Sequence, residues 1–211
     1  KRMGNSDSRS LNFWTLDDYK QFIQTMEPGT RYYLMFEMLF WTGCRIGELL
    51  AITKADINFE KNQLSINKTY YRTGMQDIIT EPKTKQSFRT IEIPEFLKEE
   101  IKEFVDGHYG MPDTERLFPV VQEAVQHKMK RQIELAGVKK IRVHDIRHSH
   151  VAYLIEKGVE PLLIRDRLGH KDIRITLNTY GHLYPNQQRK IANLLDNENA
   201  VTGLGEERDE C

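Results

Sequence analysis

Tyr180 lies ten residues beyond His170, downstream of a segment rich in arginine and histidine, in a chain with no metal-binding or nucleotide-binding motif. A phenol in such company can act as a nucleophile toward a phosphodiester, because guanidinium and imidazole groups hold a phosphate and move a proton while the oxygen attacks. The chemistry implied is the cutting and rejoining of DNA. Three further segments could contribute. In His144-Asp145-Ile146-Arg147-His148-Ser149-His150 the i, i+3 spacing puts His144 and Arg147 on one helical face, so that both can touch one phosphate. In Thr42-Gly43-Cys44-Arg45-Ile46-Gly47-Glu48 a guanidinium follows a glycine break at a helix start, with Glu48 one turn on to orient it. Pro82-Lys83-Thr84-Lys85-Gln86-Ser87-Phe88-Arg89-Thr90 reads as a basic turn between two strands.

Taken singly, each segment has an ordinary explanation. Arg-x-x-Glu is a common surface ion pair, a histidine after a helix end is a common cap, and lysines on turns are usually solvated. His144, His148 and His150 lack a neighbouring cysteine or a His-Glu-x-x-His arrangement, which disfavours a metal site. Tyr184 is the alternative nucleophile, but its place before Pro185 and its greater distance from His170 mark it as a packing residue. Tyr70, Tyr71 and Tyr153 have no comparable setting.

The elements that must position these groups are predominantly helical. Thr15, with Asp18 three residues on, predicts an N-cap for a helix carrying Tyr19, Phe22, Ile23 and Met26 on one face and stopped by Pro28-Gly29. A helix from Thr30 to Gly43 is apolar nearly all round and belongs in the core, and a short helix follows over residues 45–51. The period then changes. Residues 56–60, 63–70, 76–80 and 88–93 predict short strands of one small antiparallel sheet set between helices. Pro94 opens a helix whose outer face is Glu95, Lys98, Glu99, Lys102 and Glu103, turned away from any DNA. Further helices are predicted from Val120 to Ala136, over residues 144–157 and 161–168, near 172–178, and over 186–195 with Ile191, Leu194 and Leu195 as its apolar stripe. The fold class is therefore α+β, mostly helical.

Bulk composition sets the outer limits. The chain has 211 residues, 29% of them charged, with no segment near the ~20 apolar residues of a membrane span. With no signal-peptide pattern, the expected compartment is the cytoplasm. Cys44 and Cys211 are expected to be free thiols. Residues 1–12 are small, polar and basic and read as a linker; 13–195 would form the folded domain; 196–211 form an acidic tail. The net charge of zero conceals a division, because residues 192–211 carry −5 and residues 1–191 carry +5. Between Val120 and Ile191 stand fourteen Lys and Arg against seven Asp and Glu, a surplus suited to binding phosphates.

The ordered set Thr-Gly-x-Arg-x-x-Glu, turn lysine, His-x-x-Arg-His, Leu-Gly-His and Tyr resembles the catalytic domain of the tyrosine recombinases, the phage integrase family, over residues 12–195. The Lys-Thr-Lys turn before Arg89-Thr90-Ile91 is further similar to integrases of Tn916-like conjugative transposons and of phages of Gram-positive bacteria. The resemblance implies that Arg45 and Arg147 bind the scissile phosphate and stabilise its transition state, and that His170 adds a third hydrogen bond. His144 would handle the tyrosine proton, Lys83 would protonate the departing 5′ oxygen, and Tyr180 would attack to give a 3′-phosphotyrosyl enzyme. Lys85 competes with Lys83 for the acid role. Lys85, Arg89, Lys139, Lys140, Arg142, Lys171 and Arg174 are the expected DNA contacts.

The same resemblance implies no metal, cofactor or ATP, a chain monomeric in solution, and a tetramer on two duplexes exchanging strands through a Holliday junction. Residues 186–211 would pack on a neighbouring protomer. Family members carry an N-terminal helical DNA-binding domain that this chain lacks, so DNA affinity and site choice are expected to be weakened. Cys44 stands where the family usually has an aliphatic residue. A DNA-binding module that has lost the reaction would miss a catalytic residue, and none is missing. A type IB topoisomerase or a telomere resolvase shares the chemistry and would be separated by relaxation against recombination assays.

Overall fold

The computed structural model describes residues 12–82, 87–183, 192–193 and 195–198. Lys83, Lys85, Tyr184, Cys211, nearly all of the expected linker and most of the expected 186–195 helix and acidic tail lie outside the described residues; 192–193 and 195–198 are helical.

Helix α1 (Leu16–Ile23) begins where the capping box requires. The Asp18 amide donates to the Thr15 hydroxyl at 3.2 Å, and the Thr15 amide donates to the Asp18 carboxylate at 2.9 Å. Helix α2 (Arg31–Thr42) buries Leu34 through Phe40 and ends at Gly43, whose φ of 67° is the left-handed stop. Tyr19 stacks on Phe40 at 3.7 Å between ring centres and donates to the buried Glu37 at 2.8 Å. After the one-turn α3 (Ile46–Leu49) come β1 (Ile57–Asn58), β2 (Gln63–Ile66), β3 (Thr69–Thr73), β4 (Gln76–Thr80) and β5 (Arg89–Glu92).

These strands correct the single-sheet expectation. β1, β2 and β5 form one antiparallel sheet in the order β1-β2-β5, and β3 and β4 form a separate hairpin. The strand expected over 63–70 is broken at Asn67 and Lys68. Asn67 donates to one oxygen of Asp56 at 2.9 Å and Lys68 pairs with the other at 2.6 Å, so the carboxylate pulls the chain out of the first sheet. Side-chain anchoring of this kind leaves no trace in strand periodicity.

Helices α4 (Glu95–Asp106) and α5 (Gln122–Ala136) close the main core. The carboxyl-terminal part is α6 (Asp145–Glu156), α7 (Pro161–Leu168) and α8 (Ile173–Tyr180). Helix α8 runs two residues past its expected end. Tyr180 thus sits on its last turn and packs with Val151, Ile155, Ile164 and Leu168 in a second, smaller apolar cluster. Among the described residues no helix is long and apolar enough to cross a membrane.

One buried acidic pair carries a pH dependence. Burial, then the nearby charge of Glu37, pushes the Glu100 carboxyl from its ordinary 4.5 up to about 7, against the hydrogen bond from Tyr33. A carboxyl raised in the folded state contributes stability in full below its unfolded pKa and loses it as pH rises through the folded value. Thermal melting of the wild type is therefore expected to fall between about pH 4.5 and 7. Glu100→Gln should flatten that slope and melt higher than the wild type at pH 8; an unchanged slope would show that Glu100 does not carry it.

Candidate active site

Arg147 projects from the first turn of α6 into the protein, where it is 4% exposed. Its Nη1 donates to the Gly43 carbonyl at 2.6 Å, and its Nη2 donates to the Leu168 carbonyl at 2.7 Å and faces His170 Nε2 at 3.1 Å. One guanidinium thus ties together the Thr-Gly-x-Arg turn, α6 and the Leu-Gly-His turn. Arg147 can only donate, so His170 Nε2 accepts, and its Nδ1–H is left to donate to Thr176 Oγ1 at 2.9 Å. Burial, then the charges of Arg147, Arg45 and Arg89, lowers His170 to about 4, so the ring is neutral.

Gly43 is required at its position on two counts. Its φ of 67° is disfavoured for other residues, and a Cβ there would stand 2.4 Å from His150 Cδ2. His150 is itself buried and accepts at Nε2 from Arg167 at 3.2 Å. Arg167 also donates to the carbonyls of Glu92 and Trp41.

Arg45 stands at the N-cap of α3, its side chain 41% exposed, with Nη1 on Glu48 Oε1 at 2.8 Å and its amide on Glu48 Oε2 at 2.8 Å. Glu48 has a second partner that the sequence did not reveal. Arg89 donates Nη2 to Oε2 at 2.8 Å and Nη1 to Oε1 at 3.2 Å, a forked pair, and gives Nε to the Arg167 carbonyl at 2.8 Å. Burial raises the Glu48 carboxyl, but the hydrogen bond and charge of Arg89 and the charge of Arg45 outweigh it and leave it at about 2. Arg89 was expected to contact DNA; its side chain is only 6% exposed and its donors are engaged, so it serves as a strut behind Arg45.

Tyr180 is 2% exposed, and its hydroxyl lies 2.6 Å from His148 Nδ1. Burial pushes the phenol up to about 12, with the charge of Arg147 acting in the opposite sense. His144, at the exposed N-cap of α6, meets His148 edge-on at 5.3 Å between ring centres. The sequence reading passed over His148, whose signal is its i, i+4 relation to His144 on the same helix face. Of the remaining expected DNA contacts, Lys139, Lys140, Arg142, Lys171 and Arg174 are exposed. Arg142 and Arg174 are paired with Asp145 and Asp172. A groove of about 590 Å³ opens beside His170, lined among others by Arg89, Arg165 and Lys171. Among the described residues no group of three His, Cys, Asp or Glu side chains is placed to hold a metal.

Residues 12–187 match the model of the phage integrase family, and the chain belongs to that family. It is 31% identical over 202 residues to the ICEBs1 integrase of Bacillus subtilis (strain 168), covering 89% of this chain and 55% of that protein. A XerC-like tyrosine recombinase of Caldanaerobacter subterraneus is 30% identical, over 80% of this chain and 50% of its own length. The chain thus spans about half the length of the curated relatives it matches. The fold is shared with the Tn1549 transposon integrase bound to a circular intermediate DNA, at a TM-score of 0.75 and 21% identity over 92% of this chain and 68% of that one. The catalytic domain of bacteriophage HP1 integrase superposes with a TM-score of 0.58 at 18% identity, over 92% of this chain and 95% of that one.

Arg89→Ala leaves Glu48 still paired with Arg45, so the loss expected in urea unfolding is that of charge-assisted hydrogen bonds, about 1.5–3 kcal/mol, and Arg89→Lys should recover only part, since an ammonium cannot fork onto both oxygens of Glu48. A loss below about 1 kcal/mol in Arg89→Ala would reduce Arg89 to an ordinary surface cation.

Proposed function

We propose that this chain is the catalytic domain of a site-specific DNA recombinase that cleaves and rejoins strands through a 3′-phosphotyrosyl intermediate, serving integration and excision of a mobile element. The observation that carries the reading is the convergence on one site of Arg147, His170 and the Tyr180 phenol, with the charge of Arg45 reaching Arg147 and His170. Among the described residues Arg147 has carbonyl partners but no carboxylate in contact, and a phosphate oxygen would supply the missing negative charge. Arg45, half-exposed, would hold the second non-bridging oxygen. A phosphate entering between Arg147 and His170 would replace their mutual hydrogen bond and raise the affinity of His170 for a proton, turning it into a donor.

Tyr180 would attack phosphorus as the bond to the 5′ oxygen breaks, and Lys83, in preference to Lys85, would supply the proton to that oxygen. Positively charged donors fixed in a dry site before the reaction need no reorganisation as charge develops, the most effective form of transition-state stabilisation. The phosphotyrosyl bond conserves the energy of the broken phosphodiester, so rejoining needs no nucleotide. The exposed Lys139, Lys140 and Lys171 would follow the DNA backbone, and His144 at the open end of α6 would face the same phosphate. The partners on this reading are duplex recombination sites and three further copies of the chain around a Holliday junction, in the bacterial cytoplasm. This is supported by relatives named integrase, recombinase and transposase.

The test is covalent capture. A pool of nicked duplexes of randomised sequence is incubated with the protein, and adducts are read on a denaturing gel. Wild type should retain a labelled strand that Tyr180→Phe does not; an adduct persisting in Tyr180→Phe would remove Tyr180 from the role and point to Tyr184.

A further inference from the structure

We propose that Thr176 is a positioning residue that turns His170 from an acceptor into a hydrogen-bond donor when a phosphate arrives, by letting the single ring proton move from Nδ1 to Nε2. The inference rests on the proposed reading, in which this site receives the scissile phosphate. Arg147 Nη2 donates to His170 Nε2 at 3.1 Å, so the ring proton is on Nδ1 and points to Thr176 Oγ1 at 2.9 Å. Thr176 stands on the first turn of α8 and is fully buried, and among the described residues its hydroxyl has no other polar partner. While the oxygen accepts from Nδ1, the hydrogen of the same hydroxyl is buried without an acceptor, an unfavourable state for a polar group.

A phosphate oxygen between Arg147 and His170 reverses these roles. Arg147 turns to the anion the proton it had given to His170, and Nε2 then faces an acceptor, so the ring proton is best placed there. The Thr176 hydroxyl rotates and donates to the bare Nδ1, which leaves every group in the series paired. The change takes up no net proton. The Nδ1–H bond breaks, an Nε2–H bond forms, and the exchange runs through solvent in the groove beside His170. A hydroxyl suits this position because it can both accept and donate. A main-chain carbonyl in its place would hold the proton on Nδ1, and His170 could then donate to the phosphate only by taking a second proton. That proton is hard to add, because burial, then the charges of Arg147, Arg45 and Arg89, with His148 acting in the same sense, holds the ring at about 4. Thr176 thus makes the third hydrogen bond to the phosphate available at neutral pH. It does so from the helix that carries Tyr180 one turn further on.

The test joins a spectrum to a rate. Tyr180→Phe, with nitrogen-15 in its histidine rings, is compared free and bound to a nicked duplex that the wild-type protein has captured from the random pool. The nitrogen shift reports whether each ring nitrogen carries hydrogen, and the signals of His170, one of seven histidines, are those lost in His170→Leu. Hydrogen is expected on Nδ1 in the free protein and on Nε2 alone in the complex. Hydrogen on both nitrogens in the complex, or on Nδ1 in both states, would overturn the proposal. With Tyr180 in place, Thr176→Val is expected to slow adduct formation about 10-fold, the equivalent of one hydrogen bond, and Thr176→Ser should restore most of the rate. In a His170→Leu background Thr176→Val should cost nothing more; the same loss there would make Thr176 a packing residue of α8 and sink the idea. The spectra need no change at Thr176, and they carry the test if Thr176→Val does not fold. No adduct from the wild type would refute the recombinase reading itself, and this inference with it.

Discussion

Arg147 is a full positive charge held at 4% exposure with two backbone carbonyls and one imidazole nitrogen as its neighbours. Withdrawing such a charge from water costs several kcal/mol even after relaxation, and carbonyl dipoles offset only part of it. Burial and the like charge of Arg45 weaken the hold of Arg147 on its proton, while Glu48 acts in the other direction from beyond contact. The guanidinium is therefore a cation awaiting an anion, and much of the fold is arranged to keep it so. The carbonyls it binds belong to Gly43 and Leu168, one preceding the short helix α3 and the other ending α7, so both turns are fixed by the group they serve.

Behind this cation Glu48, Arg89, Arg167 and His150 are joined by hydrogen bonds. Among the described residues Glu48 is the one carboxylate in contact with Arg45, and Arg89 claims both of its oxygens as well, so the acid orients the outer arginine without cancelling its charge. Arg89 also reaches the carbonyl of Arg167, one residue before Leu168. The turns at Gly43 and Leu168 are thereby braced against each other from the rear. His150, lowered to about 3 by burial and by the charges of Arg167 and Arg147, stays neutral and fills the space under Gly43 that a β-carbon would occupy. A site with several cations close together holds its shape because the mutual repulsion is borne by packing and by main-chain acceptors.

The helical frame was legible in the sequence because its signals are local. Thr15 with Asp18, Gly43, Gly137, Pro161 and Gly169 stand at helix ends as their chemistry demands. Arg45, His170 and Tyr180, grouped with Arg147 in the sequence by type and order, all lie within electrostatic reach of Arg147 in the fold. What escaped depended on contacts between residues far apart in the chain. Arg89 read as a DNA contact because nothing near it in sequence announces Glu48, 41 positions away. The sheet divided at Asn67 and Lys68 because Asp56 draws them, and the contact of His148 with Tyr180 formed only because α8 ran on to bring Tyr180 against α6.

The apolar setting of Tyr180 would order the events of the proposed reaction. The phenol belongs to the cluster of Val151, Ile155, Ile164 and Leu168, and burial pushes it up to about 12. At neutral pH it cannot ionise ahead of the phosphate, which protects a buried nucleophile from reacting with adventitious electrophiles. Arg147 already pulls the phenol downward, so on the proposed reading the guanidinium that would receive the phosphate also favours the phenolate. A phosphate bound to Arg147 spends part of that attraction, and proton removal must then be concerted with attack, because a free phenolate beside a phosphate monoanion would be repelled.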